Sequence, residues 1–303
     1  MKAKADFRLV FTLIGVALIW GTTYLGIRVA VETIPPWFVT TMRQGIASLI
    51  LFVILWHKQE FIWHGWAYLR RQFLVSFLMI VIGNGMTTVA EQSIPSGLTS
   101  LLNALSPLLV FIGSVLIGLQ KPSLKGIFGV LIGFLGVAFI FRDGISDLVD
   151  PNYRFGIICI CTALTGWSIG TIYTKKNSYK SSNIFLDLFY QFLFSTIVQL
   201  GLALLIHRDA DPSTWTIQSL GAVVYLAIFG SVVAFFCYHY ALKRVTATEV
   251  SVLSYFNTVI ALFLGWLILS EKITFDILIA TLLIILGVFI TNYKKDPKAA
   301  NLV

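Results

Sequence analysis

Apolar stretches of membrane-crossing length recur along the whole 303-residue chain, broken by short polar or charged clusters. They predict spans at about 9–29, 37–56, 73–90, 97–118, 124–141, 155–174, 184–206, 217–240, 247–269 and 275–292. Most approach the roughly 20 apolar residues a helix needs to cross a bilayer core. They are too long for barrel strands and show too little alternation. The expectation is an all-α integral membrane protein with ten transmembrane helices. The first run follows Lys2, Lys4 and Arg8, as a signal peptide would. No small-residue cleavage site comes after it, so it is read as a retained helix.

Composition sharpens this. Residues of the AVILMFWYC class make up 57% and charged residues 12%, where a soluble globular chain carries about 25% charged residues to wet its surface. Lipid must solvate most of the outside. The net charge of +8 then reads as cytoplasmic anchoring and not as nucleic-acid binding, provided the charges collect on one side. They do: with ten spans, sixteen Lys and Arg fall on the side of both termini and four on the other, with Arg28 and Arg43 inside spans. Both termini are therefore expected in the cytoplasm, and the protein in the cytoplasmic (inner) membrane. Trp37, Trp56 and Trp215 near span ends fit an aromatic belt. Cys159, Cys161 and Cys237 all lie in apolar runs and read as packing residues.

The chain also repeats itself. At an offset of 151, Ala90 meets Ala241, Ser100 meets Ser251, Gln120-Lys121 meets Glu271-Lys272 and Leu135-Gly136-Val137 meets Leu286-Gly287-Val288. At 147, Trp20 meets Trp167 and Arg28 meets Lys175. This divides the chain into two five-span units, at 9–141 and 155–292. Because five is odd, the second crosses the membrane upside down, the inverted-repeat architecture of many secondary transporters.

Particular motifs sit in this frame: Ile19-Trp20-Gly21-Thr22 in the first span, Pro36 then Arg43 in the second, Leu105-Ser106-Pro107 in the fourth, and Gly265-Trp266-Leu267-Ile268-Leu269-Ser270-Glu271 closing the ninth. In order and spacing the chain resembles the EamA family of the drug/metabolite transporter superfamily, from about residue 10 to residue 292. The resemblance implies ten spans as two EamA-like units and export of small metabolites, amino acids among them. There are departures: Asn257-Thr258 stands where the family often has Glu-Pro, and Gln120 where an acid would end the fourth span.

Residue chemistry suggests where function lies. Arg43, about seven residues into its span, either faces a cavity or partner, or caps carbonyls and snorkels to headgroups. Asp187, Glu91 and Glu249 all lie near span ends, which argues against a dedicated mid-membrane proton carboxylate. His239 reads as a hydrogen-bonded packing residue. Tyr24, Asn84, Asn103, Tyr190, Gln191, Tyr240, Tyr255 and Asn257 lie within spans. Singly each could be interhelical glue, but as a set they point to a polar central cavity. Trp20 and Trp167, each roughly 17–20 Å from the face where its span starts, should wall that cavity just past the midplane. Pro107 and Arg43 are structural or gating candidates. Gly129, Gly133 and Gly136, echoed by Gly287, form a small-residue face for contact within the chain. The basic, aromatic stretch 57–72 reads as an interfacial segment.

No phosphate loop, metal-ligand cluster or nucleophile elbow appears, so neither a cofactor nor a metal is expected. The function expected is a secondary transporter of small amphipathic metabolites working by alternating access. Alternatives are a multidrug exporter, or a membrane enzyme acting on lipid or prenyl substrates. Expected partners are a small-molecule substrate and the lipid bilayer, with no nucleic acid. A monomer is expected, with a dimer left open.

Overall fold

The computed structural model describes residues 7–140, 151–178, 183–251, 253–270 and 273–292. Within them the chain forms ten helical elements. α1 is Phe7–Ala30, α2 Pro36–Lys58, α3 Trp66–Ala90, α4 Ser96–Leu116 and α5 Leu124–Ile140. α6 is Pro151–Lys176, α7 Ile184–Ile206, α8 Ile217–Arg244, α9 Ala247–Leu269 and α10 Phe275–Asn292. Eight are long and apolar enough to cross a membrane; α5 and α10 carry shorter apolar stretches, Leu124–Gly133 and Phe275–Gly287. Lys2, Lys4, Arg142, Lys180, Lys272, Lys294, Lys295 and Lys298 of the charge count, with Glu271 of the ninth-span motif, lie outside the described residues.

Local chemistry sets the helix ends. Pro36 occupies the first turn of α2, where its missing N–H is not needed. Asn183 caps α7 by accepting from Phe185 and Leu186 N–H at 2.9 and 3.3 Å. Thr246 and Glu249 form a reciprocal capping box at the start of α9: Thr246 N–H donates to Glu249 Oε2 at 2.8 Å and Glu249 N–H to Thr246 Oγ1 at 3.2 Å. One role of Glu249 is thus to begin a helix.

α3 begins at Trp66, seven residues before the expected start of its span, so the second half of the stretch read as interfacial is helix. Tyr68 and Gln72 are buried there, because both donate to the buried Asp187 carboxylate of α7 at 2.8 Å.

Two irregularities shape the interior of the bundle. α3 and α8 each contain a π-helical segment, Ser76–Gly85 and Leu226–Val233, 150 residues apart at their starts. α4 is interrupted at Ala104–Leu105, since Pro107 cannot donate to the carbonyl of Asn103 one turn back, and restarts at Ser106. α9, with Thr258 at the position matching Pro107, runs unbroken from Leu253 to Leu269.

Every main packing partnership joins the two halves. α1 packs on α9 and α8, α6 packs on α4 and α3, α2 pairs with α7, and α5 with α10. This set is unchanged if the halves are exchanged. In the last pair a Cβ on Gly287 would sit 2.5 Å from both Gly129 O and Gly133 N, so the glycine face meets its echo within the chain. Large apolar side chains such as Leu49, Trp56, Phe128, Ile197, Phe263 and Leu282 point outward, as lipid contact requires. Cys159 is buried, but Cys161 faces outward on α6, away from the packed face. Threonines, serines, glutamines and Arg43 fill much of the interior.

Candidate functional site

Where the halves meet, α1, α2, α3, α4, α6, α8 and α9 surround a cavity of about 90 Å³. α1 contributes Trp20, Thr23, Tyr24 and Ile27, spaced so that they lie on one helical face. The π segment of α3 brings Gly83 and Asn84, and Thr87 comes one turn later. Asn103 and Ser106 flank the interruption of α4, and α9 adds Ser251, Ser254 and Asn257. π segments and broken helices free backbone from regular pairing, which is why they recur at functional sites.

Trp20 and Trp167 both line this cavity and touch, edge to face, with ring centroids 5.2 Å apart. Phe235 and Tyr238 complete the aromatic cluster, at 5.5 and 5.0 Å from Trp20 and 5.8 and 5.5 Å from Trp167. The fold provides for the indole N–H of Trp20, which donates to Gly230 O at 3.1 Å. The Tyr238 hydroxyl is hydrogen-bonded to Thr171 Oγ1 at 2.7 Å, which fixes its ring against Trp167.

Arg43 combines both of the roles left open for it. It is 2% exposed and lines the cavity. Its Nε donates to Ser231 Oγ at 2.9 Å and its Nη2 to Gly230 O at 3.2 Å. The guanidinium therefore fastens α2 to the π segment of α8, on the carbonyl that also receives Trp20. Tyr24 and Asn103 both line the cavity, from α1 and α4. Asn257, with its amide nitrogen turned inward, donates to Leu253 O and Ala17 O at 2.9 and 3.0 Å and so ties α9 to α1.

Four of the residues expected at the cavity lie elsewhere. Gln191 belongs to a second, smaller cavity of about 30 Å³ with Arg71, Gln72, Asp187, His239 and Lys243. There Gln191 Nε2 donates to Gln72 Oε1 at 2.8 Å. Tyr190 packs against Tyr68, ring to ring at 5.8 Å. Tyr240 lies beneath the Arg244 guanidinium at 3.4 Å. Tyr255 is buried in an apolar cluster with Trp37, Ile94 and Leu101. All four are aromatic or amide residues in spans, and depth along a helix does not fix the direction a side chain takes around it. Conversely, Thr23, Thr87, Ser106 and Ser254 line the cavity without having been anticipated. The signal was there: Thr23 and Thr87 stand three residues from Trp20 and Asn84, and Ser254 three from Asn257.

Gln120 accepts from Thr248 Oγ1 at 2.9 Å, a neutral link between the end of α4 and the start of α9 where the resemblance implied an acid.

A bundle of apolar helices around a polar central cavity defines a class, the multi-pass membrane transporter, and comparison with known proteins makes it particular. The EamA-like transporter family matches residues 8–142 and again 154–293. The chain belongs to that family. It is similar to the uncharacterized transporter YoaV of Bacillus subtilis, 27% identical over 281 residues, covering 93% of this chain and 95% of the relative. The uncharacterized inner membrane transporter YedA of Escherichia coli K12 is 29% identical over 269 residues, covering 88% and 84%. Protein PagO of Salmonella typhimurium is 27% identical over 293 residues, covering 97% and 95%. A crystal structure with 19% identity superposes with a TM-score of 0.71 over 94% of this chain and 97% of its own, a likeness of fold.

Proposed function

We propose that the protein is a secondary transporter carrying small amphipathic metabolites, amino acids or related compounds, out across the cytoplasmic membrane by alternating access. The observation that carries this reading is the contact of Trp20 with Trp167: corresponding residues of the two halves meet at 5.2 Å on the wall of one central cavity. An inverted repeat puts equivalent residues at a shared midplane site and equivalent gates on either side of it. The exchange-symmetric helix pairing and the two π segments at matching positions support such a repeat. Rocking one half against the other would open the cavity to each face in turn, with the four-ring cluster of Trp20, Trp167, Phe235 and Tyr238 as the barrier that moves. The termini belong on the cytoplasmic side in this reading, and the driving force is a solute or ion gradient.

The test is counterflow by purified protein in proteoliposomes, with a panel of amino acids and related metabolites inside and labelled solute outside. Saturable exchange without nucleotide is expected. Transport that depends on added ATP would refute the gradient-driven mechanism.

A further inference from the structure

We infer that the cavity grips its substrate by a carboxylate held at Arg43, so that the cargo is a small carboxylic acid, amino acids included, with an apolar or aromatic body. The inference rests on the transporter reading above and deepens it.

The Arg43 charge is buried, and its two hydrogen-bond acceptors, Ser231 Oγ and Gly230 O, are neutral. Among the described residues its Nη1 has no partner, and no aspartate or glutamate lines the cavity. A guanidinium cannot shed its proton, so in a low-dielectric site it calls for a counter-anion. Three more groups of the same lining are buried and without a partner among the described residues: Asn84 Nδ2, Ser106 Oγ and Ser254 Oγ. They come from α3, α4 and α9, so the unused donors converge from separate helices. An amide nitrogen and a guanidinium can only donate, and a hydroxyl can donate. The lining therefore asks for a group that only accepts, which an ionised carboxylate does with two oxygens. The restart of α4 at Ser106 adds the positive end of an eleven-residue helix segment beside the same space. One cation suits one negative charge. Trp20, Trp167 and Tyr238 on the lining supply the surface against which an apolar body would rest. The oxygen of Asn257, whose nitrogen is engaged by the Leu253 and Ala17 carbonyls, is an acceptor suited to the ammonium of an amino acid.

The experiment is counterflow with matched sets: L-leucine, L-leucinamide and isoamylamine; L-phenylalanine, L-phenylalaninamide and phenethylamine; phenylacetate and phenylacetamide. Acids are expected to exchange and to compete, and their amides and amines to do so at least about tenfold more weakly, the usual worth of a charge-assisted hydrogen bond. Arg43→Gln should abolish that preference and Arg43→Lys restore part of it. Because Arg43 also fastens α2 to α8, Asn84→Ala serves as the second variant; its side-chain nitrogen has no bond to lose within the described fold. It should weaken acids several-fold and leave amides unchanged. If amides or amines exchange as well as acids, or if folded Asn84→Ala keeps wild-type half-saturation for acids, the carboxylate site is wrong while the transporter stands. If no solute of any kind exchanges, the transporter reading itself fails.

Discussion

Gly287 offers a clean perturbation because what surrounds it is backbone. A methyl group there would lie 2.5 Å from Gly129 O and Gly133 N and 2.9 Å from Gly133 Cα. Carbon atoms rest at about 3.5–4.0 Å from their neighbours, so Gly287→Ala must drive α5 and α10 apart by roughly 1 Å. No side chain can rotate away to absorb the overlap. Overpacking of this kind typically costs about 1–3 kcal/mol. The lower part of that range is expected, because α5 and α10 touch the rest of the bundle mainly along α4 and α9 and can part. Gly201 of α7 is the control: nothing lies within 4 Å of its added Cβ. There the same change should be neutral or stabilising by up to about 1 kcal/mol, through the helix preference for alanine over glycine. The two variants therefore differ in sign. Equilibrium unfolding by SDS in mixed micelles, tracked by circular dichroism, measures both against wild type. If Gly287→Ala unfolds with or after Gly201→Ala, the helices do not meet at these glycines and the packing argument is wrong.

Trp20→Ala and Trp167→Ala should each lower transport while Trp→Phe at either place retains most of it; folded yield is measured separately, and two Ala variants with wild-type rate and affinity would make the rings packing alone. Compartment-reporting tags after Ile62 and after Asp150 (the latter outside the described residues) should report opposite sides, the first cytoplasmic. Ser270 holds φ at 55° where α9 ends, and Gly118 holds 73° where α4 ends. Relief of this left-handed strain should make Ser270→Gly stabilising by about 1 kcal/mol and Gly118→Ser destabilising by a similar amount, as read by thermal unfolding in detergent. Equal melting temperatures for both variants would contradict it.

The sequence by itself determined the solvent and the elements. With so few charges the outside had to be lipid, and in lipid the backbone must satisfy itself within each helix, so apolar runs translate directly into spans. The capping box Thr246-x-x-Glu249 and the first-turn Pro36 act through bonds a few residues long, and are legible for that reason. Repetition at a fixed offset likewise marked Trp20 and Trp167 as a pair before either had a location. The tertiary structure alone decided which polar side chains share a space. Asn84 and Gln191 look alike in the sequence, yet one borders the central cavity and the other a separate pocket with Asp187, because rotation about the helix axis is set by packing against other helices. Nor could local pattern announce the π segments of α3 and α8, since widening the helix over ten and eight residues leaves the apolar run intact. That widening places Gly230 O where Trp20 and Arg43 both reach it, across nearly 190 residues of chain from Arg43. A bond between such distant residues has no periodic trace in the sequence, and only the folded bundle makes it.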